Sequence, residues 1–175
     1  MVTIRLINQP NGNMEIFTTL IFYRSLSIMD RDTLINNILY EDMEDEEVFD
    51  LISRIDDSEV LHLIAINYNW DDGIEIPQMI LDNKHCELAT ALTIFGLAEG
   101  FEYLDDKSAL DYDKELKSFV TDLYERIINR KFIQGEIKYN PQLTKVQIYK
   151  LKKTINEDEI IFIETIGTKE VNEEY

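Results

Sequence analysis

Cysteine, glycine, histidine and basic residues are all scarce in this chain, and each shortage removes a class of reading. The single cysteine, Cys86, cannot form an internal disulfide, so the fold must stand on its apolar core. Six glycines in 175 residues supply neither a G-x-x-x-x-G-K-[ST] loop nor a G-x-G-x-x-G turn, which excludes the familiar phosphate cradles. The serine-hydrolase elbow G-x-S-x-G is missing as well. Two histidines and one cysteine cannot complete a four-ligand zinc site without carboxylates, and no cofactor or metal is expected. Seventeen basic residues face 35 acidic ones, a net charge of -18. Such a field repels nucleic acid and anionic lipid and favours cationic protein partners. Nearly apolar runs such as Leu20 to Tyr23 and Leu61 to Ile66 fall far short of the roughly 20 residues of a membrane span. Met1 to Asn8 carries one arginine and no signal-peptide stretch, so the expected address is the cytoplasm.

What is present is enough for one domain: 45% of the residues are apolar and can bury a core at this length. The expected fold is a mostly α, multi-helix stack, with an α-solenoid as a minority alternative. Residues 1–29 read as a β-hairpin around Asn8 to Asn13 or, alternatively, as a helical extension from Glu15 to Met29. Residues 30–135 form the predicted helical core and residues 136–175 a C-terminal subregion. Asp30 or Asp32 caps a first helix to about Leu39, and Glu46 to Ile55 carries Val48, Leu51, Ile52 and Ile55 on one stripe. Asp57 and Ser58 cap Glu59 to Tyr68, apolar on nearly every side and therefore buried. Pro77 suits the first turn of a short helix ending near Asn83. Glu87 to Glu99 is again apolar almost all round, with Gly100 as its stop. From about Asp113 to Phe132, Leu116, Phe119, Val120, Leu123 and Ile127 keep helical spacing, with Gly135 beyond the end. Thr144 to Ile155 leans to helix, and Glu159 to Ile163 fits helix or strand equally.

Charge is unevenly placed on this frame. Glu41, Asp42, Glu44, Asp45, Glu46, Glu47 and Asp50 crowd into ten residues without a base, interspersed with Met43, Val48 and Phe49, and form the expected partner-binding surface. In the opposite sense, Lys138, Lys145, Lys150, Lys152 and Lys153 lie in a stretch free of acids from Ile137 to Asn156. Lys145, Lys150, Lys152 and Lys153 form a secondary docking candidate. Either block also has a plain explanation as a solvated face.

The densest run of unusual residues is Leu61 to Pro77, which holds the only tryptophan. His62, Asn67, Asn69, Trp70, Asp71, Asp72 and Glu75 make it a candidate functional loop. Asp71, Asp72 and Glu75 could in principle meet a hard cation, but their spacing is not that of an EF-hand. The structural alternative has Asp71 or Asp72 capping the next helix, Gly73 at positive φ and Trp70 plugging the junction. His62, Asn67 and Cys86 share the residue types of a thiol protease without its local signature, and no catalytic residue is assigned. With Ile80, Cys86-Glu87-Leu88, Ala91-Leu92, Phe95 and Ala98-Glu99-Gly100, this run resembles an uncharacterised bacterial family catalogued as domain of unknown function 4274. Lys145 to Lys153 is similar to the family's closing segment. The resemblance implies a helical domain and brings no activity, cofactor or catalytic residue.

Three functions are therefore weighed. An immunity or antitoxin-type inhibitor would cover a basic bacterial effector with the acidic block. A helical adaptor would dock through the lysine segment. An enzyme would need an unrecognised site near Trp70 to Glu75, with those carboxylates and His62 sharing a cleft.

Overall fold

The computed structural model describes residues 30–41 and 43–171. The chain divides into two units between Leu34 and Ile35, and the hairpin or helix expected over 1–29 lies outside the described residues. In the first unit, Asp30 accepts the Thr33 N–H at 3.0 Å and the Thr33 hydroxyl at 2.8 Å, the bonds of a helix N-cap. The helix that follows, α1, spans Arg31–Tyr40.

Among the described residues the protein is helical, without strands and with three isolated β-bridges. The helices after α1 are α2 (Asp45–Arg54), α3 (Ser58–Asn67), α4 (Glu75–Asp82), α5 (Leu88–Leu97), α6 (Gly100–Asp105), α7 (Lys114–Ile128) and α8 (Lys145–Leu151). Short 3-10 turns occupy Trp70–Asp72 and Asp158–Phe162. The mostly α, multi-helix character expected from sequence is thus the observed one.

The centre is α5. Its Leu88, Ala89, Thr90, Ala91, Leu92, Ile94 and Phe95 are all buried, so every side of it has to be covered. It packs against α3, α6 and α7, while α4 bridges α2 and α3. Each large side chain fully removed from water there contributes about 1.5–3 kcal/mol before entropy is counted. The stripe expected on α2 is buried as well, with Val48, Leu51, Ile52 and Ile55 each under 9% exposed.

Helix ends follow local chemistry with three departures from the sequence reading. Asp57 caps α3 by accepting the Glu59 N–H, and Ser58 is the first helical residue rather than a second cap. Gly100 does not stop α5: Glu99 takes the left-handed conformation at φ 60° and Gly100 opens α6. Glycine is needed there because a Cβ would lie 2.4 Å from the Phe95 carbonyl oxygen and ring. The long helix ends at Ile128, not near Phe132, where Asn129 closes it and Arg130 turns left-handed at φ 54°.

Residues beyond α7 fold back onto the bundle. Glu87, at the head of α5, accepts the Ile137 N–H at 3.1 Å, and the Leu88 N–H donates to the Ile133 carbonyl at 2.9 Å. Tyr139 and Ile166 exchange backbone hydrogen bonds at 2.9 and 3.1 Å. Glu159, 5% exposed, accepts from Tyr124 at 2.8 Å, Lys107 at 3.0 Å and the Asn156 N–H at 2.9 Å. Burial opposes its charge, but these three donors outweigh burial and hold the carboxyl below its ordinary range. The Tyr124 ring stacks on Phe162 at 5.5 Å, so the last 3-10 turn is bound to α7 by both polar and apolar contacts.

Gly135 owes its place to this fold-back, since a Cβ there would sit 1.7 Å from the Glu87 carboxyl. Gly135→Ala must therefore expel Glu87 from the Ile137 N–H. It is expected to lower unfolding stability in urea by about 1–3 kcal/mol. Unchanged stability would show that the Glu87 clasp does not hold the segment.

Candidate functional site

The acidic surface is built on α2. The helix is held from below by its buried stripe and at its C-terminus by Asn83, whose side-chain amide donates to the Ile52 and Ile55 carbonyls at 2.7 and 3.0 Å. Asn83 thereby satisfies the Ile55 carbonyl and adds a second bond at Ile52, whose carbonyl also accepts the Ile55 N–H at 3.2 Å. With the inner face committed to packing, Glu44, Asp45, Glu46 and Glu47 stand exposed over the first turn. Their negative charge also suits the positive end of the helix dipole. Phe49 is 58% exposed, and its spacing from Asp45 and Glu46 puts the three on one helical face. Asp50 is ion-paired with Arg54, Glu41 is exposed just after α1, and Asp42 lies outside the described residues.

The loop singled out in the sequence is ordered by its own hydrogen bonds. Asn69 caps the 3-10 turn by accepting the Asp71 N–H and donates to Asp72 at 3.1 Å. The Tyr68 hydroxyl donates to the Gly73 carbonyl at 3.1 Å. Burial, with the charges of Asp72 and Glu75 added, pushes that hydroxyl up to about 12. Gly73 has φ 97°, as expected of the glycine, and the Glu75 side chain lies over it. Neither Asp71 nor Asp72 caps α4, contrary to the sequence reading. Both belong to the 3-10 turn, and Ile74 precedes α4 without a side-chain cap. Trp70 is half-buried, edge-on to Tyr68 and Phe119 at 6.0 and 6.3 Å, and its indole N–H is buried without a partner among the described residues.

His62 is elsewhere. It is 7% exposed on α3, with Nδ1 3.1 Å from the Thr90 hydroxyl on α5. Burial lowers its pKa to about 4, so the ring is neutral at physiological pH. It borders a cavity of about 620 Å³ with Asn67, Thr93, Phe101, Tyr139 and Gln142. Trp70, Asp71 and Glu75 line a different cleft of about 350 Å³ together with Glu99, Asp113 and Glu115. The fold therefore does not bring His62 and the loop carboxylates into one cleft. Asn67 donates to the Leu63 carbonyl at 2.9 Å. Cys86 is 2% exposed, its thiol pushed up to about 12 mainly by burial, and it lacks the thiolate character that a nucleophile needs. Among the described residues, no group of three or more His, Cys, Asp or Glu side chains is placed to hold a metal ion.

The lysine segment forms α8, opened by a capping box in which Thr144 and Gln147 bond reciprocally. Leu151 is its one buried residue, while Val146 and Tyr149 are 64% and 63% exposed. Lys145, Lys150, Lys152 and Lys153 are exposed beside them, and the Lys153 ammonium lies 4.2 Å above the Tyr149 ring.

Residues 56–128 match the family model described as Domain of unknown function (DUF4274). This segment is a DUF4274 domain. No curated protein and no solved structure matches the chain. The DUF4274 domain contains α3 to α7, the candidate loop and His62, whereas the acidic α2 and the lysine-bearing α8 flank it on either side. No helix among the described residues is long and apolar enough to cross a membrane.

Two features escaped sequence reasoning. The His62 cavity joins residues from segments far apart in the chain, and the Asn83 clasp depends on a tertiary neighbour. Only the polarity of Asn83 at a helix end gave a signal.

Burial of His62 sets a pH test. The unfolded chain takes up a proton near pH 6.5 and the folded chain only near 4, so this stability is full above 6.5 and declines as pH falls between those values. The loss over that window is expected to be about 3 kcal/mol at most. His62→Gln should flatten this part of the urea-stability profile relative to the parent. Identical profiles would contradict a buried neutral ring.

Proposed function

We propose that this protein is an acidic interaction module that inhibits a basic bacterial effector, in the manner of an immunity or antitoxin protein, by covering the effector's working surface. The observation that carries the reading is the outer face of α2: exposed carboxylates, without an ion pair among the described residues, around an exposed Phe49 on a helix whose other face is fixed in the core. An aromatic anchor set in charge suits tight binding, because the ring supplies buried area and the carboxylates accelerate encounter with a cationic surface. The net charge of -18 adds long-range attraction to the same kind of partner. The reading requires a cytoplasmic encounter with the effector.

A second reading is favoured by α8, whose Val146 and Tyr149 are 64% and 63% exposed. There the protein is an adaptor that docks an acidic segment of another protein. An enzyme built on the Trp70 to Glu75 loop has less support, because His62 and the loop carboxylates border separate cavities.

Binding to the product of the neighbouring gene, measured by titration calorimetry, distinguishes these readings. Phe49→Ala is expected to weaken the complex about tenfold or more, and Glu46→Lys with Glu47→Lys to slow association most strongly at low salt. Cells producing the effector should lose protection in parallel. A complex untouched by these changes but lost in Lys150→Glu with Lys153→Glu would select the adaptor reading. No complex and no protection would reject the inhibitor.

A further inference from the structure

The two flanking helices complement one another in a way that one copy of the chain does not use. On α2, Glu44, Asp45, Glu46 and Glu47 are exposed and form no ion pair among the described residues. On and beside α8, Lys145, Lys150, Lys152 and Lys153 are likewise exposed and without ion pairs there. Each face carries a large apolar side chain out in water, Phe49 on the first and Tyr149 with Val146 on the second. Helical spacing places Val146, Tyr149 and Lys150 on one face of α8, as it places Asp45, Glu46 and Phe49 on one face of α2. Several cations elsewhere are ion-paired within the chain: Arg54 with Asp50, Lys107 with Glu159, Arg126 with Asp82 and Lys138 with Glu170.

We propose that the α8 face of one copy docks on the acidic α2 face of a second copy, so that the protein self-associates through unlike surfaces. Four lysines then meet four carboxylates, and Tyr149 with Val146 covers Phe49. Because the two faces differ, the contact either closes into a two-fold dimer with two such junctions or propagates head to tail. The charge of -18 on each chain resists approach at long range. At about 0.15 M salt, charges separated by more than about 8 Å are largely screened, which leaves the facing pairs to decide the outcome. The contact shares the acidic face with the inhibitor reading but does not depend on it. Self-association and effector binding would then exclude one another, and α8 would serve as an internal competitor for the partner's basic surface.

Sedimentation velocity on the full chain tests this with two exposed-site variants, Lys150→Glu with Lys153→Glu and Glu46→Lys with Glu47→Lys. Circular dichroism checks that each remains folded. The parent is expected to associate near physiological salt and to dissociate at high salt. Each variant alone should associate at least tenfold more weakly. Their equimolar mixture should recover association, because the intact α2 face of one meets the intact α8 face of the other and the two reversed faces also match. A parent that stays monomeric at every concentration and salt overturns the proposal while leaving effector binding to be decided by its own titration. Variants that associate as the parent does, or a mixture that fails to recover, also overturn it.

Discussion

The structure depends on one constraint: α5 has almost no polar surface and must be covered along most of its length, with only Thr93, Gly96 and Leu97 left partly open. Leu92, Ile94 and Phe95 are fully buried, and Thr90, also fully buried, is admitted because its hydroxyl meets His62. Covering α5 commits α3, α6 and α7 to packing, and that bundle is the body of the DUF4274 domain. Apolar burial of this kind is non-directional, so polar clasps define the register. Asn83 closes the end of α2, Glu87 receives the returning chain, and Glu159 anchors the last turn to Tyr124 and Lys107.

The chemistry available for function follows from this division. Inside the domain, Cys86 is a buried hydrophobe with a raised thiol, and His62 is neutral and packed. Outside the matched segment, α2 and α8 each set an exposed aromatic ring, Phe49 and Tyr149, among charges of one sign. The inhibitor reading and the proposed self-contact rest on the same physical fact, that α2 is packed on one face and carries exposed charge on the other.

Much of this was legible in the sequence where periodicity was strong. The stripes of α2 and α7, the caps at Asp30 and Asp57, and the burial of α3 and α5 all follow from spacing and residue type. Glycine was harder to interpret. Gly100 and Gly135 looked like helix ends, but each is required by a close tertiary approach, to Phe95 and to the Glu87 carboxyl, and no local pattern announces such an approach. The loop acids were misplaced because Asn69 captured the turn before Asp71 or Asp72 could cap α4. In the acidic block, the sequence placed Val48 and Phe49 among the carboxylates. The fold then separates them, burying Val48 and leaving Phe49 in water.

The central claim is that α2 is the surface on which the protein meets a basic partner. Hydrogen–deuterium exchange, comparing the free protein with its complex, tests it most directly by locating the footprint. With the free protein diluted until it is monomeric, the account requires new protection over residues 44–54, with the amides of α8 unchanged. Protection confined to α8, or to the walls of the His62 cavity, would contradict it.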